Sequence, residues 1–198
     1  MRILILAVCV LGLFSACSTE ELVEEAKIDT YFDLEGTLNK VVNDLVAQNA
    51  QLKKSTAINE QEEQAMLALD SAAAWKAQLE VFYESDINKV GLSNSYSIDT
   101  TQAFDGIKKV VYEAFAKSAY VKSMECSFRD GKLFLIRILA SDKNVVYSIS
   151  NEYYLYFNHF KRKLALDHFS IHSQKKIILN FINCPGIKLK PSLRICSS

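Results

Sequence analysis

Residues 120–140 read YVKSMECSFRDGKLFLIRILA. Polar and apolar side chains alternate on both sides of Asp130-Gly131, and that dipeptide is a strong hairpin signal. Tyr120–Phe128 and Lys132–Ala140 are therefore expected to be paired strands. Outward from this hairpin, further strands are expected at about Ser93–Thr101, Ile107–Ala116, Val145–Ser150, Glu152–Asn158, Leu164–His172 and Lys176–Ile182. Short polar junctions separate several of them, at 129–132, 141–144, 158–163 and 173–175. Parallel neighbours need a crossover of a dozen or more residues, so strands joined this closely must run antiparallel.

Upstream the period changes. Over 29–49, Tyr31, Leu34, Leu38, Val41, Val42, Leu45 and Val46 recur at helical spacing, with Asp29 as the expected N-cap. Gly36 inside that pattern costs about 1 kcal/mol relative to Ala. Residues 51–67 favour a hairpin or loose connector, although Glu60–Ala68 also has helical composition. Residues 70–88 form a second helical pattern, capped by Asp70 or Ser71, with Ala72, Trp75, Leu79, Phe82 and Tyr83 on one face. The expected class is α+β: two N-terminal helices packed on an antiparallel meander β-sheet of about 6–8 strands.

The chain has 198 residues, 23 basic and 23 acidic side chains, six Gly and two Pro. That composition excludes collagen-like, Pro-rich and highly charged disordered classes. The N-terminus, MRILILAVCVLGLFSAC, carries one positive charge and then twelve apolar residues, too few to span a bilayer. Phe14-Ser15-Ala16-Cys17 resembles a bacterial lipobox, with Phe14 where Leu is usual; the alternative is an ordinary secretory signal cut nearby. The first reading makes 1–16 a signal peptide, Cys17 the lipid attachment site and 17–28 an acidic tether. Residues 29–182 would then be a single domain and 183–198 a C-terminal tail. Two or more acyl chains anchor stably, at about 0.8 kcal/mol per buried methylene. Glu20, Glu21, Glu24 and Glu25 resemble the surface-export signal of Bacteroidota lipoproteins. The expected location is the cell envelope, as an outer-membrane lipoprotein on its periplasmic or surface side.

Trp75, Leu79, Phe82, Asp86-Ile87-Asn88-Lys89, Tyr96-Ser97 and Tyr31-Phe32 together resemble a family of small uncharacterised envelope lipoproteins of Bacteroidota. The resemblance runs from the lipobox to about residue 180. It implies a location and a fold, helices on an antiparallel sheet, and no activity.

Charge is unevenly distributed. Residues 17–106 carry 17 acidic and 6 basic side chains, and residues 107–198 carry 6 acidic and 16 basic ones. Either acidic helices dock on a basic sheet, or a basic sheet face meets anionic lipid, lipopolysaccharide phosphate or an acidic partner. Lys108-Lys109, Lys161-Arg162-Lys163 and Lys175-Lys176 fall at expected strand ends or turns. No nucleic-acid recognition motif accompanies them.

Reactive constellations are sparse. His168 and His172 alternate with Leu166 and Ser170 on one strand face, about 13 Å apart, too far to share one metal. Asp86 and Asn88, with Glu84 nearby, suit a turn better than an acid–base pair or a calcium loop. Asp99 and Asp105 are generic loop carboxylates. Cys126 alternates with Met124 and Phe128 as a small core residue. Cys184 and Cys196 could close a disulfide loop, worth about 3 kcal/mol in the chain-entropy model. No nucleophile-elbow, phosphate-loop or zinc-helix motif is present, so neither an enzyme nor a cofactor is expected.

Aromatics crowd 147–169. Tyr154 and Tyr156 share one strand face; Tyr153, Leu155 and Phe157 share the other. Tyr154, Tyr156 and Trp75 are the candidate binding surface, although Trp75 also suits a core anchor. The expected function is a non-catalytic binding or scaffold lipoprotein for a protein or envelope polymer. The alternative is a carrier holding lipid or another hydrophobic ligand against an apolar sheet face.

Overall fold

A computed structural model describes residues 30–58, 61–102, 105–143, 147–160 and 163–177. The expected signal peptide, Cys17, the acidic tether, Asp29, Lys161-Arg162 and the Cys184–Cys196 tail lie outside the described residues. The elements run α1 (Leu34–Ala47), β1 (Gln51–Ile58), β2 (Gln61–Ala68), α2 (Ala72–Gln78), α3 (Glu80–Glu84), β3 (Tyr96–Gln102), β4 (Ile107–Ala114), β5 (Val121–Arg129), β6 (Lys132–Lys143), β7 (Tyr147–Phe160) and β8 (Lys163–Ile177). The fold is mostly β. A six-stranded antiparallel sheet of order β3-β4-β5-β6-β7-β8 stands with a two-stranded β1-β2 sheet and a few short helices.

The central hairpin is as expected. Arg129 pairs with Lys132, and the two loop residues, Asp130 (φ 51°) and Gly131 (φ 73°), are both left-handed, as a tight primed turn requires. Gln51–Ile58 and Gln61–Ala68 pair as antiparallel strands rather than forming a helix, with Gln51 opposite Ala68 and Ile58 opposite Gln61.

Four expectations change. First, α1 starts at Leu34, and its cap is Asp33, whose carboxylate accepts from the Gly36 amide at 2.8 Å. A Cβ on residue 36 would press on that carboxylate, so the glycine makes room for the cap. Leu34, Leu38, Val41, Val42 and Leu45 form the buried stripe. Second, the expected helix over 70–88 is two short helices. Leu79 (φ −103°, ψ 9°) leaves helical geometry between them, its amide shared by the Trp75 and Lys76 carbonyls. The α+β description of two helices on a sheet is thus met only in part. Third, the two strands expected at 145–150 and 152–158 are not separate: Tyr147–Phe160 is one long strand. Asn151 pairs with Ala140 and Ser173, and its Oδ1 accepts from the Ser173 hydroxyl at 2.6 Å. Fourth, Ser173-Gln174-Lys175 is not a turn and Ser141-Asp142-Lys143 does not end β6, because each of these residues is paired with β7.

The inner face of the sheet carries the core. Met124, Cys126, Ile136, Ile138, Leu155 and Phe169 are fully buried, as are Trp75, Leu79 and Phe82 from the helical side. Phe82 meets Tyr153 and Phe169 edge-on, with centroids 5.8 and 5.6 Å away. Helix-to-sheet docking is therefore apolar. Lys109–Glu125, Arg137–Glu152 and His168–Asp167 are ion pairs within the sheet.

One polar knot fixes where α1 enters. The Tyr31 amide donates to Asn88 Oδ1 (2.9 Å), and Asn88 Nδ2 donates to the carbonyls of Tyr31 (3.3 Å) and Phe32 (2.9 Å). The Tyr31 hydroxyl donates to the Ser93 carbonyl (3.0 Å) and accepts from the Tyr96 amide (3.1 Å). The Tyr96 hydroxyl in turn donates to the Val121 carbonyl (3.1 Å). Asn88 and Asp86 are both buried, and Asp86 Oδ1 accepts from the Asn88 amide at 3.1 Å. This is the turn role expected of the pair.

Asn88→Ala removes the partners of three backbone groups around residues 31 and 32. It is expected to cost about 3 kcal/mol in urea unfolding. A loss below about 0.5 kcal/mol would mean that this knot contributes little to stability.

Candidate binding face

The sheet's outer face is built by alternation. Side chains opposite one another on antiparallel strands share a face. Register therefore places Asp99, Val111, Glu125, Arg137, Tyr154 and Ser170 in one row. Glu113, Ser123, Leu139, Glu152 and His172 form the next row, and Lys109, Ser127, Leu135, Tyr156 and His168 the row on the other side. The described N-terminal elements contribute their buried side chains to the opposite, inner face.

Tyr154 and Tyr156 are half-buried here, while Tyr153, Leu155 and Phe157 are buried on the core side, as alternation requires. The rings of Tyr154 and Tyr156 are near-parallel (15°), with centroids 6.0 Å apart. His168 stacks on Tyr156 at 4.1 Å, and His172 meets Tyr154 edge-on at 6.0 Å. His168 Nδ1 also lies 2.8 Å from Asp167 Oδ2.

A β-bulge decides this arrangement. Phe157 pairs with Leu166 and Tyr156 with His168, leaving Asp167 as the extra residue. Leu166 consequently turns into the core at 4% exposure instead of sharing the histidines' face. The bulge brings His168 directly opposite Tyr156.

Polar groups bracket the rings. Glu152 Oε1 accepts from Arg137 Nε at 2.7 Å and from the Tyr154 hydroxyl at 2.5 Å. The Arg137 guanidinium lies over the Tyr154 ring, 5.9 Å from its centroid. Lys109 pairs with Glu125 at 2.9 Å. Burial disfavours ionisation of Glu152, but the Tyr154 and Arg137 hydrogen bonds and the Arg137 charge outweigh it and hold the carboxyl below its ordinary value. Arg137 and Glu152 were not singled out from sequence. They lie on neighbouring strands 15 residues apart, and only register reveals that they meet.

Trp75 does not belong to this surface. It is fully buried, and its indole N–H donates to the Leu69 carbonyl at 3.1 Å, so it serves as the core anchor. Cys126 is fully buried, and burial pushes its thiol well above the ordinary value. Among the described residues no cluster of three or more His, Cys, Asp or Glu could hold a metal. A groove of about 550 Å³ lies at the α1–β8 edge, lined by Thr37, Lys40, Val41, Asn43, Asp44, Lys163 and Leu164. No described helix is long and apolar enough to cross a membrane. Searches for relatives found no matching family model, curated protein or solved structure.

Two outcomes follow. Glu152 has a depressed folded-state pKa, so its stabilisation is present above the ordinary Glu range and fades as pH falls through the folded value. Wild type should exceed Glu152→Gln in stability by less than about 1 kcal/mol near neutrality, because the pair is part-exposed. The gap should close in acid, and a gap that widens on acidification would contradict the assignment. Cys126 should resist thiol reagents until the chain is unfolded, as read by mass spectrometry.

Proposed function

We propose that this chain is an envelope lipoprotein, tethered through Cys17, whose sheet presents its outer face to a protein or an envelope polymer without catalysing a reaction. The helical segments serve as the layer that closes the other face. The observation that carries the reading is the ordered group of Tyr154, Tyr156, His168 and His172, bracketed by Arg137 and Glu152, on a face that the core does not use. Side chains already fixed by stacking and hydrogen bonds lose little entropy on binding. The lipobox-like segment supports the location.

The lipid-carrier alternative gains no support from the interior. The space between helices and sheet is filled by Trp75, Phe82, Leu155 and Phe169, each fully buried.

Cys17→Ser should move the protein from the membrane to the soluble fraction and abolish fatty-acid labelling. Native mass spectrometry of that variant should give the protein mass alone; a reproducible adduct of lipid mass would favour the carrier. A photo-crosslinking side chain at Tyr156 should capture a defined envelope component in cells, and one at exposed Met66 should not. Equal capture at both positions would remove the outer face as the functional surface.

A further inference from the structure

We propose that the outer face of β6–β8 binds an acidic polysaccharide, laid along the strands. The inference rests on the reading of that face as the binding surface, and it adds the chemistry of the occupant.

Charge complementarity carries the first part. The charged side chains of these three strands on this face, apart from the two histidines, include Arg137, Lys143 and Lys176 against Glu152 and Asp167, the last bonded to His168 and Asn158. Arg137 already neutralises Glu152. The surplus is positive and sits at one end, where Lys143, Ser148 and Lys176 form a single cross-strand row with both lysines exposed. Two lysines flanking a serine suit an anionic group on a ligand, and the residues beyond 106 are basic in sum.

The second part comes from the opposite end. Tyr154 and Tyr156 offer near-parallel rings, each with one face taken by a neighbour, His168 on Tyr156 and Arg137 over Tyr154, and the other left for a ligand. The electron-rich face of an aromatic ring attracts electropositive C–H groups such as those on the flat side of a sugar. Between rings and lysines the face carries Ser141, Ser150 and Gln174 in one row and Ser170 beside Tyr154. These short polar side chains both donate and accept hydrogen bonds, as sugar hydroxyls do. From Tyr156 to Ser148 along β7 is about 26 Å at about 3.3 Å per residue. That length suits a chain of several sugar units. A lipid tail would instead require a continuous apolar strip, which the serine row interrupts.

The test uses the full chain with Cys17→Ser and isothermal titration against polygalacturonate, alginate, methyl-esterified polygalacturonate and neutral dextran. The two acidic polymers should bind, the esterified polymer at least about tenfold more weakly and dextran not measurably. Tyr156→Ala should weaken binding about tenfold, and Tyr156→Phe should restore most of it. Lys143→Gln with Lys176→Gln should weaken binding and flatten its salt dependence, as expected when fewer counterions are released. Unchanged urea midpoints would show that these surface variants still fold. No binding to either acidic polymer would overturn the proposal, as would binding indifferent to esterification or to the tyrosine. Binding only to vesicles containing phosphatidylglycerol would overturn it in favour of a membrane. If polysaccharide binding fails but crosslinking at Tyr156 in cells succeeds, the ligand class falls and the surface stands. If both fail, the surface reading falls with it.

Discussion

Tyr31 ties together parts of the chain that would otherwise meet only through apolar packing. Its backbone is held by Asn88, and its hydroxyl holds the start of β3 through Ser93 and Tyr96. Its ring packs edge-on against Tyr96 (5.5 Å) and Tyr112 (5.8 Å). Hydrophobic burial has no direction, so it brings α1 to the sheet without choosing where α1 begins. Buried backbone polar groups must be satisfied, and Asn88 satisfies three of them at one place. That requirement sets the entry of α1 relative to the turn after α3 and to the sheet edge, while the apolar side chains of the sheet decide which face is covered.

Once one face is covered, alternation divides every strand between the two faces. On β7, Tyr153, Leu155 and Phe157 go to the core, and Tyr154 and Tyr156 go outward. The same logic sets Arg137 between core-facing Ile136 and Ile138. The outer aromatic group is thus a consequence of the core, built on rigid strands rather than on loops. Its order comes from stacking across strands and from the Arg137–Glu152–Tyr154 contacts, which lock the ring angles.

Much of this division was legible in the residues themselves. The Asp130-Gly131 turn, the alternation around it and the two-faced reading of 153–157 needed only periods and turn chemistry. Trp75 was legible as an anchor by its place on a helical stripe, but not excluded from the surface until its burial was seen. The strand joins at Asn151 and Ser173 were not legible, because polar residues read as breaks when no apolar partner is required. There the two side chains bond each other near the sheet's end. The break at Leu79 was likewise hidden, because an apolar residue at helical spacing gives no sign that its amide will be shared by two carbonyls. The bulge at Asp167 and the stacking it creates depend on register, which period-two patterns leave open away from a tight turn.

The central claim is that the described helices cover one sheet face and that Tyr154 and Tyr156 stand on the other, the face proposed to bind a ligand. Hydroxyl-radical footprinting of the purified chain tests it most directly. Tyr154, Tyr156, His168 and His172 should be oxidised readily, while Trp75, Phe82, Met124 and Phe169 should react only after unfolding. Fast oxidation of Trp75 and Met124 in the native state, with Tyr154 and Tyr156 protected, would mean that the faces are assigned the wrong way round.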